Sequence, residues 1–244
     1  MQISVVFPCY NEEENIRPAM DRALSALAEQ FDAFEILLVE DASRDSSPRI
    51  CDELAARHPQ IRVLHNPKNL GQGASIVRGF QNARYDLVLH NAMDYPFDLR
   101  DLREMLPLLR SADIVVGARR SRAGYSPYRI LTSVVHKGLL HMLFPLRLSD
   151  YNFVQLYPRS VWEHVNVEAR STAFLTPEAL IRAHDLGYRI AEIPVEYHAR
   201  IAGVATAGRP KVILASLRDM FHFWWKRSLG RTPRARATVG QASS

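Results

Sequence analysis

Asn91 and Asp94 stand three residues apart just beyond a short apolar run, Leu87-Val88-Leu89, with His90 between the run and the pair. An amide oxygen and a carboxylate at the end of a buried strand can hold a divalent cation, a phosphate or a sugar. Side chains leaving the carboxyl end of a central strand in an open α/β sheet face the ligand crevice. A local alternative exists: Asn91, Asp94 and Pro96 as turn chemistry, with Asp98 capping a following helix. Other polar stretches fall at the same kind of place. PCYNEEEN follows the apolar run Ile3 to Phe7, and Glu40-Asp41-Ala42-Ser43 follows Glu35 to Val39. NPKNLGQGAS follows Ile61 to Leu64 and has the look of a phosphate-cradling loop. It matches neither G-x-G-x-x-G nor G-x-x-x-x-G-K-[ST], so a simple helix entry is the stronger reading of it alone.

These residues need strands and helices to position them. The first strand is expected to stop at Pro8, and Asn11 with Glu14 has helix-cap spacing before Ile16, Met20, Ala23, Leu24 and Leu27 at helical period. Ser47-Pro48 should open a helix carrying Cys51 and Leu54 inward. Gly71 and Gly73 precede a helix bearing Ile76, Val77, Phe80 and Ala83, and Pro96 leads into one bearing Leu99, Leu102, Met105, Leu106 and Leu109. A further strand, Asp113 to Val116, leads to Gly117-Ala118-Arg119-Arg120. Four strands joined by helical crossovers within about 115 residues imply a doubly wound α/β sheet with its loops of interest on one edge.

The second half is less regular. Arg129 to Leu146 reads as an apolar helix, and SDYNFVQLYPRSVW follows without an assigned element. A helix from about Pro177 stops at Gly187, and Ala191, Ile193, Val195 and Tyr197 alternate as in a strand. The last helix, Lys211 to Lys226, puts Ile213, Leu217, Met220, Phe221 and Trp224 on one face. From Gly230 onward apolar periodicity is lost, so residues 230–244 are expected to be a disordered basic tail behind a single domain of residues 1–229.

Hydrophobic residues make up 47% and charged residues 23% of the chain, the balance of a soluble globular protein. Its +5 net charge suits an anionic partner. Cys9 and Cys51 lie in no metal or disulfide spacing, which fits a reducing cytosol. No signal peptide and no membrane span is expected, and nothing suggests a nucleic acid partner.

Taken in order, VVFPCYNEEENI, LLVEDASRDSS, NLGQGASIVRGFQNA, VVGARR and STAFLTPEALIRAHDLGYRIAEIPVEYHAR resemble the family 2 glycosyltransferases. The branch is the polyprenyl-phosphate, dolichyl-phosphate-mannose-synthase-like one, and the match covers about Met1 to Lys226. The resemblance implies a GT-A fold: a Rossmann-like, mostly parallel sheet whose nucleotide-sugar half is residues 1–120. Residues 121–229 would form the acceptor side and an amphipathic helix.

It further implies that Pro8, Tyr10 and Glu12 line a nucleoside, and that Asp41 accepts hydrogen bonds from base or ribose beside Glu40. Arg119, Arg129 and Arg200 would meet phosphates. Asp150 is the candidate base for a hydroxyl acceptor, and Glu178 a second acid near the acceptor side. The family's Asp-x-Asp falls on Asn91-Ala92-Met93, so Mg2+ or Mn2+ would rest on Asn91 and Asp94, since a thioether is a poor ligand for a hard cation. The later Arg-x-x-Gly-x-Ser-Lys element keeps Arg200 and Gly203 but loses Ser and Lys, for which Lys211 could substitute.

The activity implied is sugar transfer from a nucleoside-diphosphate sugar to a lipid-linked or polyprenyl-phosphate acceptor, with inversion. Against it stand a non-catalytic nucleotide-sugar-binding or scaffolding protein on the same fold, and a sugar-phosphate nucleotidyltransferase. Phe221, Phe223, Trp224 and Trp225 beside Lys226, Arg227, Arg231, Arg234 and Arg236 predict peripheral contact with the cytoplasmic face of a membrane.

Overall fold

A strand without polar alternation must be covered on both faces, and β1 (Gln2–Cys9) is buried along nearly its whole length. The computed structural model describes residues 1–121, 125–169, 171–198 and 210–230. Among these residues β1 joins β2 (Ala33–Glu40), β3 (Ile61–His65), β4 (Leu87–His90), β5 (Ile114–Arg119), β6 (Val154–Pro158) and β7 (Ile190–Val195) in one sheet. The order is β3-β2-β1-β4-β6-β5-β7, parallel except at β6, which runs antiparallel to both β4 and β5. The doubly wound, mostly parallel sheet expected from the sequence is therefore present.

Helices α1 (Ile16–Ala28), α2 (Ser47–Arg57) and α3 (Gln72–Gln81) are the crossovers between the first four strands. Val5 and Phe7 pack toward Ile16, Met20, Leu27 and Cys51 on one face. Val6 packs toward Ile76 and Phe80 on the other. Gly79 lets α3 sit this close, for a Cβ there would come within 2.3 Å of Val6.

Pro8 continues β1 instead of ending it. The Val6 carbonyl accepts from Asn91 N, so the backbone groups of even-numbered β1 residues face β4, whose register stops at His90 opposite Val6. At position 8 the missing N–H has no ladder partner to lose. The helix expected over Leu99 to Leu109 is instead a 3-10 turn (Leu99–Asp101), the short α4 (Leu102–Met105) and a second 3-10 stretch (Leu106–Arg110). Pro107, lacking an N–H, cannot extend α4. Asp98 does cap this run, accepting from Arg100 N at 3.0 Å.

The second half adds α5 (Pro127–Leu143), α6 (Val161–His164), α7 (Thr172–Asp185) and α8 (Pro210–Ser228). Strand β6 lies inside the stretch the sequence left unassigned. Helix α7 starts five residues before Pro177, which sits inside it, because Phe174, Leu175, Leu180 and Ile181 are all buried. That burial outweighs one lost helix hydrogen bond. Helix α8 buries Ser216, Met220 and Phe223; of the predicted face Met220 is buried, Ile213 and Leu217 are half-buried, and Phe221 and Trp224 are exposed. Phe223 stacks on Phe144 at 5.5 Å, and the Arg182 guanidinium lies 4.7 Å above its ring. No described helix is long and apolar enough to cross a membrane. The predicted tail beyond Gly230 lies outside the described residues.

Candidate functional site

Asn11, Ala42 and Tyr95 adopt positive φ (54°, 57° and 50°), and they lie in the loops after β1, β2 and β4. Each such non-glycine conformation costs about 1 kcal/mol or more, so neighbouring contacts must hold it. Asn11 N donates to Ser43 Oγ at 3.0 Å and its Oδ1 accepts from Arg44 N at 2.9 Å. Asn11 thus ties the β1 loop to the β2 loop and is not the cap of α1. Glu12 N donates to Ser47 Oγ, Glu13 N to Asp45 Oδ2, and Ser46 N to Glu13 Oε2. Pro8 and Glu12 are partly buried at this seam, while Tyr10 is 40% exposed at its mouth. Cys9 and Cys51 are free and buried behind it. Their mutual hydrogen bond, with burial second, pushes the Cys9 thiol up and away from nucleophilic use.

Asp41 is buried, and its carboxylate holds the loop after β3. Oδ1 accepts from Asn66 Nδ2 at 2.6 Å and Leu70 N at 2.8 Å, while Oδ2 accepts from Gly71 N at 2.8 Å. Gly71 has φ 88°, which only glycine adopts easily. Two amides of the suspected phosphate cradle are therefore committed to Asp41. Glu40 makes a smaller set: Oε1 accepts from Ser43 N at 2.6 Å, and Oε2 lies 3.4 Å from His65 Nδ1. Asn66 escaped the sequence reading. Its signal was the one used for Asn91, a polar residue just past the carboxyl end of a strand.

The loop after β4 turns inward. Asn91 Nδ2 donates to Phe97 O at 2.8 Å and Oδ1 accepts from Ala92 N at 3.1 Å, so both ends of the amide brace the loop. Met93, Tyr95 and Phe97 are at most 4% exposed and belong to one core cluster with Phe7. Asp94 is half-buried in the turn closed by Tyr95 N donating to Ala92 O. Of the expected cation ligands, Asn91 is thus a loop brace and Asp94 the carboxylate that remains. Among the described residues no group of three or more His, Cys, Asp and Glu side chains could hold a metal ion. The donor set does not fit a protein-held Mg2+ or Mn2+, which wants several oxygen ligands.

Because β6 is antiparallel, the segment before it returns to the carboxyl edge and brings Asp150 to the end of β5. Arg119 Nη1 donates to Asp150 Oδ2 at 2.7 Å and Nη2 to Asn152 O at 2.8 Å. The guanidinium lies 4.5 Å from the Phe153 ring centroid and 5.5 Å from that of Tyr197. Asp150 Oδ1 also accepts from Asn152 N, so neither carboxylate oxygen faces a substrate unengaged. Tyr197 meets Tyr125 edge-on, and Arg129 lies 3.7 Å over the Tyr125 ring. The two groups of loops join where Phe97 packs edge-on to Phe153 and His198 N donates to Pro96 O. Glu178 stands apart: fully buried in mid-α7, it accepts from Glu168 N, Ala169 N and Arg182 Nε. It braces the chain before α7 and does not reach the edge. Arg200 and Gly203 lie outside the described residues, and Lys211 is exposed in the first turn of α8.

The model of glycosyl transferase family 2 matches residues 4–163. Glycosyltransferase AglD of Haloferax volcanii is 29% identical over 98% of this chain, which spans 39% of AglD's length. Dodecaprenyl-phosphate galacturonate synthase of Rhizobium johnstonii is 28% identical over 93% of this chain and 68% of its own. The solved mannosyltransferase of Pyrobaculum calidifontis, in complex with GDP-Man and Mn2+, superposes with a TM-score of 0.65 at 17% identity, covering 96% of this chain and 65% of that one. The fold is GT-A, and the chain belongs to glycosyl transferase family 2.

Proposed function

We propose that this chain transfers a sugar from a nucleoside-diphosphate sugar to a polyprenyl phosphate or similar lipid-linked phosphate, with inversion. The observation that carries this reading is the Arg119–Asp150 pair. A hydroxyl acceptor needs a base, and the acid placed for that work is committed to Arg119 and Asn152. A phosphate acceptor is already anionic and needs none. Its oxygen bonds to the anomeric carbon as the bond from that carbon to the diphosphate breaks, and the electron pair leaves on the diphosphate.

In this reading the laced loops after β1 to β3 hold the nucleoside. Tyr10 stacks on the base, Glu12 lines the pocket and Asp41 keeps the β3 loop in register. Arg129 and Arg200 meet phosphate charge, while Arg119, anchored by Asp150, stiffens the wall between donor and acceptor. A divalent cation carried in on the nucleotide phosphates would meet the protein at Asp94. Leu214, Phe221 and Trp225, spaced seven and four along α8, are exposed, as are Leu131, Val135 and Met142 on α5. These faces suit peripheral contact at the cytoplasmic leaflet, where a lipid-linked acceptor resides.

The scaffolding alternative has behind it only Asn91 and Met93 in place of the family's acidic pair. Incubation with UDP-glucose or GDP-mannose and undecaprenyl phosphate separates the two. Release of nucleoside diphosphate with a lipid-linked sugar supports transfer, whereas nucleotide binding without release across a donor and acceptor panel supports the scaffold.

A further inference from the structure

We infer that this chain binds its nucleoside diphosphate without a resident divalent cation, the loop after β4 having become an apolar plug. The inference rests on the nucleotide-sugar reading above and concerns how that site meets the diphosphate. Three observations converge on it. Asn91, at the first position of the family's acidic pair, spends its amide on Phe97 O and Ala92 N. Met93, at the second, is 3% exposed and packed in the cluster that contains Phe7, Tyr95 and Phe97. Its thioether is chemically unsuited to Mg2+ or Mn2+ and is also turned away from the crevice. Asp98, the next carboxylate along the loop, accepts from Arg100 N as the cap of the following turn.

Asp94 is then the one further carboxylate in the loop after β4. A hard cation bound by one carboxylate owes its remaining ligands to nucleotide phosphates and water, so its affinity belongs to the nucleotide and not to the protein. The diphosphate charge is then met during binding by the chain's own cationic side chains, in a chain of net charge +5.

Two measurements on the full chain test this. Mn2+ alone is titrated while the free-ion electron paramagnetic resonance signal is followed, and UDP and GDP are titrated calorimetrically with EDTA or with Mn2+. The expected result is an undiminished Mn2+ signal, together with a Kd for the preferred nucleotide that changes by less than about threefold between the two buffers. Stoichiometric Mn2+ uptake by the nucleotide-free chain overturns the inference. So does nucleotide binding that EDTA abolishes, which would leave the nucleotide reading standing. Failure of both nucleotides to bind in either buffer overturns the nucleotide reading and the inference with it.

Discussion

The side-chain amide of Asn91 donates to the carbonyl of Phe97 at 2.8 Å, closing the loop on which family 2 enzymes carry their acidic pair. Asn91→Asp would restore the first acid of that pair while removing the donor. A carboxylate would then face a buried carbonyl, and the cost is expected to be about 2–3 kcal/mol. Urea denaturation should show a lower midpoint with an unchanged slope. A variant as stable as the parent that also gains Mn2+ affinity would show that the loop re-forms as a metal site.

Asp41 should matter more than Glu40. Removing Asp41 orphans Leu70 N and Gly71 N and leaves Asn66 Nδ2 with its bond to Ser75 Oγ, whereas removing Glu40 frees Ser43 N and one longer contact to His65. Asp41→Ala is expected to cost about 3–4 kcal/mol and Glu40→Ala about 1–2 kcal/mol, with nucleotide affinity falling in the same order. Equal losses in both properties would mean that the β3 loop does not depend on Asp41.

Arg119 and Asp150 are both largely buried, with side-chain exposures of 16% and 6%. Asp150→Ala strands a guanidinium between Phe153 and Tyr197 and should cost about 3–5 kcal/mol. Pairing it with Arg119→Met, which keeps the apolar contact to Phe153, should recover more than about 1 kcal/mol. Additive losses would mean the two side chains act separately.

The sequence carried the parallel half of this fold well, because β1 and β2 are nearly continuous apolar runs and α1 and α2 have clear 3.6-residue periods. It failed where long-range pairing decides the outcome. Val154 to Pro158, broken by Gln155 and ending in Pro158, shows no clean apolar run and becomes β6 only by pairing between β4 and β5. The direction of Met93, the Asn11 link to Arg44 and the pairing of Asp150 with Arg119 are likewise set by partners distant in sequence. Helix α8 was found, but its inward face was misjudged, since Ser216 is buried for its bond to His136 and not for its hydrophobicity.

Acid should weaken the fold through two histidines. Burial lowers His90, edged by Phe80, and His136, beside Ser216 Oγ, each to about 4. The unfolded chain protonates these rings near the ordinary 6.5. Between there and about 4 it binds more protons than the folded chain, and stability falls as pH is lowered. Both residues are half-buried, so each should remove about 1–3 kcal/mol by pH 4. For His65, burial lowers the value, but hydrogen bonds donated to Asp52 and Glu40 outweigh it and leave the ring raised. Its contribution is therefore full below 6.5 and lost as pH rises through its folded value. Denaturation of the parent and His90→Leu from pH 7 to 4.5 is the check, and identical pH slopes would remove His90 from the account.

Membrane contact can be tested without touching the core. Deleting α8 beyond Asp219 would uncover the core by removing Met220 and Phe223, and would also take away Lys226 and Arg227, which pair with Glu168 and Asp185. Phe221 and Trp225 are the better targets, being 45% and 54% exposed and four residues apart on one stripe with Leu214. Trp224 and Trp225 are neighbours and point about 100° apart, so inserting one side of α8 engages mainly one of them. Arg218 lies on the same stripe and is exposed. A cation at that level is worth about 1 kcal/mol against an anionic leaflet. The full chain should co-sediment with anionic vesicles at low salt and release at high salt. Phe221→Ser with Trp225→Ser should weaken that binding about ten- to a hundredfold while leaving the thermal midpoint within a few degrees. A chain that stays in the supernatant at low salt, or a double variant that binds as tightly as the parent, would mean that the exposed face of α8 does not serve the membrane.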